Sequence, residues 1–169
     1  TDVLSCFRQG RNSMVSTLFG RRADRILFAA TKADLLHHES HDRLEAILSD
    51  ILQDAATRAE YAGAAIDVTA IAAIRATREA TVKQRGTELE CIAGAPEKGE
   101  VLGGSEFDGE TEAAIFPGDL PQDPKQAIDG SLEGALKFLK FRPPLIEGKV
   151  FPHIRLDRAI DFLIGDRLA

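Results

Sequence analysis

Cysteine is scarce in this chain, which contains Cys6 and Cys91 and no other thiol. Two cysteines do not make the disulfide framework of a small secreted domain, and neither has a second Cys or a His at the spacing that zinc sites use. A reducing compartment is the simpler interpretation. We therefore expect a cytoplasmic protein.

Long apolar runs and excess basic charge are also missing. No stretch approaches the roughly eighteen apolar residues of a membrane span, and the amino end lacks the pattern of a signal peptide, so we expect no transmembrane segment. The net charge is -6 and the pI is about 5.2. This balance argues against a surface built to neutralise nucleic-acid phosphates, so nucleic acid is not an expected partner.

The composition is that of a globular protein. The 169 residues are 44% hydrophobic and 28% charged, which suits one domain or one domain with an elaboration. Near the amino end, apolar residues recur at helical spacing before Gly20, namely Val3, Leu4, Phe7, Met14, Leu18 and Phe19. Because the chain starts at Thr1 inside this predicted helix, we expect a piece of a longer polypeptide.

An α/β unit follows. Residues 25–30 form a short apolar run without alternation, which predicts a strand buried on both faces of a parallel sheet. The period of the apolar positions then predicts a helix through about residue 61, and Gly63 is a stop signal before a second strand over residues 64–71. The order strand, helix, strand predicts a right-handed parallel crossover. We assign residues 1–77 to the second half of this α/β domain.

The rest of the chain has a different character. Short strands are predicted around residues 80–83 and 89–93, and Gly and Pro are frequent between residues 94 and 148, so residues 78–152 are predicted to be a β-rich insertion. Residues 153–169 regain helical periodicity, with an apolar face of Leu156, Ile160, Leu163 and Ile164. We expect this last helix to return to the α/β part and cover its sheet.

The loop after the first predicted strand carries the chemistry. Thr31-Lys32-Ala33-Asp34 matches the [Asn/Thr]-Lys-x-Asp pattern of Ras-like GTPases and lies between a strand and a helix, at the sheet edge where open α/β folds bind ligands. Guanine presents two adjacent hydrogen-bond donors, which one carboxylate can accept, so we predict that Asp34 reads the base. The Lys32 stem would lie along the purine face, and Thr31 would tie the loop to its neighbours.

A second base-binding loop is expected after the next parallel strand, at Ala70, Ile71 and Ala72. Small residues there would let a backbone N–H approach the guanine oxygen. The plainer alternative for the first loop is that Asp34 caps a short helical turn at Leu35 while Lys32 is simply solvated.

Four segments of the sequence resemble the carboxyl-terminal part of the YcjX family of bacterial P-loop proteins. The segments are residues 30–37, 72–77, 141–144 and 151–166, and they run from near the start of the chain to its end. The resemblance implies a Ras-like sheet with an insertion, a stress-associated nucleoside-triphosphate hydrolase as the intact protein, and GTP or GDP as the ligand. The expected fold is thus α/β, a partial Ras-like P-loop sheet with a β-rich insertion and a returning helix.

This chain departs from the family where the phosphates would bind. The phosphate loop, Gly-x-x-x-x-Gly-Lys-[Ser/Thr], is missing, and its nearest approximation at residues 94–101 has an acidic residue in place of the lysine and is predicted to be a turn between strands. No catalytic residue is therefore assigned, and Mg²⁺ is expected only with the missing amino-terminal half of the domain, which we predict as a partner. The chain alone is not expected to hydrolyse GTP.

Two further features of the sequence bear on function. His37, His38 and His41 form a His-His-x-x-His pattern, but adjacent histidines usually point apart, so we predict a solvated loop and no metal. A function of another class also remains open: a regulatory or protein-interaction module whose nucleotide loop is vestigial and whose insertion binds another protein. The sequence does not identify that protein partner.

Overall fold

The protein is described by a computed structural model over residues 23–128, 136–146, 148 and 150–168. The helix predicted between Val3 and Phe19 lies outside these residues. The described part is a mixed α/β structure with three small sheets. Among its helices, none combines the length and the apolar character that crossing a lipid bilayer requires.

The predicted strand, helix and strand are confirmed. β1 (Arg25–Ala30) and β2 (Ala65–Ala70) pair in parallel, and α1 (His41–Tyr61) connects them. The helix ends where Gly63 adopts a positive φ of 92°, a conformation that glycine accepts without steric cost. Two short 3-10 turns, Ala33–Leu35 and His38–Ser40, fill the loop between β1 and α1.

The expectation that β1 is buried on both faces is wrong for the described structure. Ile26 is buried, but Ala29 is exposed and the remaining residues of β1 are half-buried. The reason is that β1 and β2 form a sheet of two strands, so each has one neighbouring strand among the described residues.

The region after β2 contains the predicted strands. β3 (Arg78–Gln84) and β4 (Thr87–Gly94) form an antiparallel hairpin, and β7 (Ala113–Ile115) pairs with the other edge of β4. A two-stranded ribbon of β5 (Val101–Leu102) and β6 (Ser105–Glu106) lies between them in sequence. Residues 95–100 form a connection with a turn at Gly99, as predicted for the segment that most resembled a phosphate loop.

The largest core cluster joins this β-rich part to the α/β unit. Its buried members are Ile92, Ile115, Leu139 and Phe141. Leu35 and Ala76, which belong to the loops after β1 and β2, pack against them. The β-rich part therefore supports the loop that contains Asp34.

Two further helices are described. α2 (Pro124–Ile128) packs on α1, and α3 (Leu156–Ile164) contacts β1, as expected for a returning helix. Ala159 of α3 is buried, whereas Ile160, Leu163 and Ile164 are 40–43% exposed. The apolar face predicted from the sequence is thus only partly covered by the described residues.

Candidate functional site

Asp34 is held in place by the loop that follows β2. Its residue is 6% exposed, and its carboxylate oxygen Oδ2 accepts a hydrogen bond from the Ala76 backbone N–H at 3.0 Å. The Thr77 hydroxyl donates a short hydrogen bond to the Asp34 carbonyl oxygen. The first bond orients the carboxylate and the second holds the backbone of Asp34, so the side chain is positioned for directional hydrogen bonds to a ligand.

The helix-capping alternative for Asp34 is wrong. The 3-10 turn begins at Ala33 with Lys32 as its N-cap, and no side chain caps it. Lys32 has a left-handed backbone with φ of 61°, which is uncommon for a residue with a Cβ atom. Such conformations persist where the surroundings fix them and are frequent at ligand sites.

The two loops meet at the carboxyl edge of the parallel strands. The Ala33 N–H donates to the Ile71 carbonyl at 3.0 Å, and the Ile71 N–H donates to the Ala30 carbonyl at 2.8 Å. This pair of hydrogen bonds continues the β1–β2 ladder into the loops. The structure therefore brings together the segments that the sequence analysis selected.

The backbone donors of the second loop are already engaged. Besides the Ile71 bond, the Ala70 N–H donates to Glu45 Oε1 at 2.8 Å, and the Ala72 N–H donates to the Ile154 carbonyl at 3.1 Å. The next two residues, Ala73 and Ile74, are exposed, and their N–H groups have no partner among the described residues. The unpartnered backbone donors thus lie one and two residues beyond the predicted loop of Ala70, Ile71 and Ala72.

Lys32 separates two clefts. One, of about 310 Å³, is lined by Lys32, Asp34, Ile74 and Ala76 on one side and by Glu97, Lys140 and Phe141 of the β-rich part on the other. The second, of about 290 Å³, includes Thr31, Lys32 and Phe138. The first cleft is lined by Asp34, by Lys32 and by Ile74, whose N–H group has no partner among the described residues, so it is the candidate site.

The histidine loop differs from its prediction. His38 is exposed as expected, but His37 and His41 are buried. His41 is the first residue of α1, its Nε2 lies 2.8 Å from the Ala33 carbonyl oxygen, and burial lowers the pKa of its imidazole. The prediction of a solvated loop is wrong for these two residues. Helix α1 begins at His41, earlier than its apolar period showed, and His41 lies against the loop that follows β1, whereas His37 lies against Glu79 and Glu90 of the β3–β4 hairpin.

Glu45 of α1 is a structural residue that the sequence analysis missed. Its Oε1 accepts hydrogen bonds from the Thr69 hydroxyl at 3.0 Å, from the Ala70 N–H and from the Arg155 guanidinium. Glu45 therefore joins α1, the end of β2 and the start of α3. A lone acidic residue within a helix pattern gives no signal of such a role.

Replacing Glu45 by alanine is expected to lower the free energy of unfolding by about 1–3 kcal/mol, because the buried Ala70 N–H and Thr69 hydroxyl lose their acceptor. Urea denaturation followed by circular dichroism measures the change. Asp42→Asn is the matched control, since Asp42 pairs with the same arginine but its side chain is 86% exposed. That variant is expected to lose less than about 1 kcal/mol. Equal effects of the two substitutions would contradict the assignment.

Comparison with known proteins defines the family. The sequence profile of the YcjX-like family, DUF463, matches residues 1–168, and the chain belongs to that family. The resemblance seen in the sequence is thereby confirmed.

Two relatives carry the name Ras-like GTPase YcjX. The protein of Escherichia coli (strain K12) is 32% identical over 170 residues, which cover 99% of this chain and 34% of that protein. The protein of Shewanella oneidensis is 30% identical over 171 residues, which cover 98% of this chain and 33% of that protein. The chain spans about a third of the length of these relatives and corresponds to their carboxyl-terminal part.

Proposed function

We propose that this chain supplies the guanine-recognition part of a GTP- and GDP-binding domain, with Asp34 reading the base. The observation that carries the proposal is the position of the Asp34 carboxylate in the wall of a cleft beside Lys32. Its Oδ2 is already oriented by the Ala76 N–H. The names of the two relatives support a guanine nucleotide as the ligand.

The contacts of the base follow from its chemistry. Guanine N1–H and its exocyclic amine would both donate to the Asp34 carboxylate, while the aliphatic stem of Lys32 covers one ring face. Thr31 lines the neighbouring cleft, is exposed, and its hydroxyl makes no hydrogen bond to the described residues. Adenine presents an acceptor at N1, so it would leave the carboxylate facing a lone pair and is selected against.

The second loop has a divided role in this proposal. The N–H groups of Ala70, Ile71 and Ala72 donate to Glu45, Ala30 and Ile154, so these residues fix the second loop behind the cleft. Ile74 lines the cleft itself, and the N–H group of Ile74 or of its neighbour Ala73 would then serve the guanine carbonyl oxygen. In this arrangement the small residues keep their own hydrogen bonds.

The phosphates require residues that this chain does not contain. We infer that the two-stranded parallel sheet is the second half of a Ras-like P-loop sheet, with residues 78–152 as an insertion and residues 153–169 returning to it. The amino-terminal half of the same domain would supply the phosphate loop, the Mg²⁺ ligands and the hydrolytic groups. Hydrolysis thus belongs to the intact protein.

The direct test is calorimetric titration of the full-length protein with GDP and with ADP in the presence of Mg²⁺. Binding of GDP and not of ADP is the expected result. Equal binding of both nucleotides would overturn base recognition by Asp34. Binding of neither would favour the other class of function, an interaction module with a vestigial nucleotide loop.

A further inference from the structure

Five titratable side chains converge beside the candidate site without a role in base recognition. We call them the His/Glu cluster: His37, His38, Glu39, Glu79 and Glu90. The first three belong to the loop between β1 and α1, and the two others lie on the β3–β4 hairpin. Elements distant in sequence thus meet at a group of imidazoles and carboxylates.

His37 is the centre of the His/Glu cluster. Its side chain is 8% exposed, and its Nε2 lies 3.2 Å from Glu79 Oε2. A carboxylate only accepts, so the ring nitrogen beside it carries a proton, and a singly protonated ring has its lone pair on Nδ1. That Nδ1 is buried, has no hydrogen-bond partner, and lies 3.5 Å from Glu90 Oε2.

This contact places a lone pair opposite a carboxylate oxygen. A buried nitrogen without a partner is costly, and two acceptors that face each other repel. The contact is explained if a proton or a metal cation lies between the two atoms. Because the geometry does not make a hydrogen bond, a metal ion is the better fit.

We propose that His37, His38 and Glu39 bind a divalent transition metal of the zinc class, with Glu90 as the fourth ligand. Possible ligand atoms of the first three residues all lie within 4.8 Å of one another. Two imidazoles with carboxylates form a ligand set that suits Zn²⁺, whereas Mg²⁺ and Ca²⁺ prefer oxygen ligands alone. The proposal does not depend on guanine binding.

Glu79 is a positioning residue for His37. Its Oε2 also accepts the His38 backbone N–H at 3.3 Å, and its Oε1 pairs with Arg75 at 2.5 Å. Both oxygens are therefore occupied, and Glu79 orients His37 as outer carboxylates orient metal-bound imidazoles. A metal bound by His37, His38, Glu39 and Glu90 would tie the loop that follows Asp34 to the β3–β4 hairpin.

The test is a zinc titration of the nucleotide-free, full-length protein against a chromogenic chelator, with Co²⁺ absorption as a second readout. His37→Ala is expected to remove one equivalent of bound zinc and the visible bands of tetrahedral Co²⁺. Glu79→Gln is expected to retain the site with affinity lowered about 10- to 100-fold, the range for loss of an outer-sphere partner. A purely structural role of Glu79 would not move the metal affinity.

Glu88→Gln is the matched control, since Glu88 lies on the same hairpin and pairs with Lys83 rather than with a residue of the His/Glu cluster. It is expected to bind zinc like the unmodified protein, and circular dichroism of each variant reports its folding. Identical stoichiometry and Co²⁺ spectra for the unmodified protein and His37→Ala would overturn the proposal. In that case a proton, and not a metal ion, lies between His37 Nδ1 and Glu90 Oε2.

Discussion

Replacing Asp34 by asparagine in the full-length protein is expected to weaken GDP binding by about 100-fold or more. Hydrogen bonds to a charged acceptor contribute about 1.5–3 kcal/mol each, and guanine would lose two of them. The asparagine oxygen can still accept from the Ala76 N–H, which anchors Asp34 at 3.0 Å, so the loop retains its support. The new amide N–H₂ would face the donors of guanine.

The same substitution is expected to improve the binding of xanthosine diphosphate. Xanthine carries a carbonyl oxygen where guanine has its exocyclic amine, and the asparagine amide can donate to that oxygen. Competition against a fluorescent GDP analogue measures both affinities. Asp54→Asn is the control, because Asp54 is exposed on α1 away from the cleft. An unchanged preference for GDP over xanthosine diphosphate in Asp34→Asn would contradict base reading by Asp34.

Phe141→Ala is expected to lower the free energy of unfolding by about 3–5 kcal/mol, the usual loss for a large core aromatic. Phe141 is 7% exposed and packs with Ile92, Ile115 and Leu139 in the core that also contacts Leu35 and Ala76. Its ring approaches so closely that a Cβ atom added at Gly94 would lie 2.9 Å from it. Little relaxation is therefore available to fill the cavity.

Phe141 also lines the cleft beside Asp34, so its replacement is expected to alter the ligand site as well as the core. GDP affinity is expected to fall together with stability. Urea denaturation measures the first effect and GDP titration the second. Phe151→Ala provides the comparison, because that ring is 54% exposed and its loss is expected to change stability by no more than about 0.5 kcal/mol. A similarly small change for Phe141→Ala would show that the two parts do not share a core.

The sequence predicted the regular elements because their signals are local. The apolar run of β1, the helical period of α1 and the stop at Gly63 are each visible within a few residues, and all three have the expected structure. The hairpin of β3 and β4 follows from the same kind of pattern, with Arg85 and Gly86 at positive φ in its turn. The meeting of the loops after β1 and β2 follows from parallel pairing.

The rest could not be predicted because it depends on contacts between distant residues. The Ala72 N–H is occupied by the Ile154 carbonyl, and the Ala70 N–H by Glu45, so the local pattern of small residues located the loop but not its free donors. Burial of His37 likewise results from Glu79 and Glu90 on a later hairpin. No spacing rule within the His-His-x-x-His segment contains that information.

The most direct test of base recognition is a crystal structure of the full-length protein with GDP. Base recognition by this chain predicts guanine N1 and its exocyclic nitrogen about 2.7–3.2 Å from the Asp34 carboxylate, with the Lys32 stem along the ring and an N–H of Ala73 or Ile74 directed at the carbonyl oxygen. A structure in which the base lies outside this cleft, or in which Asp34 keeps its bond to Ala76 without contacting the base, would contradict it.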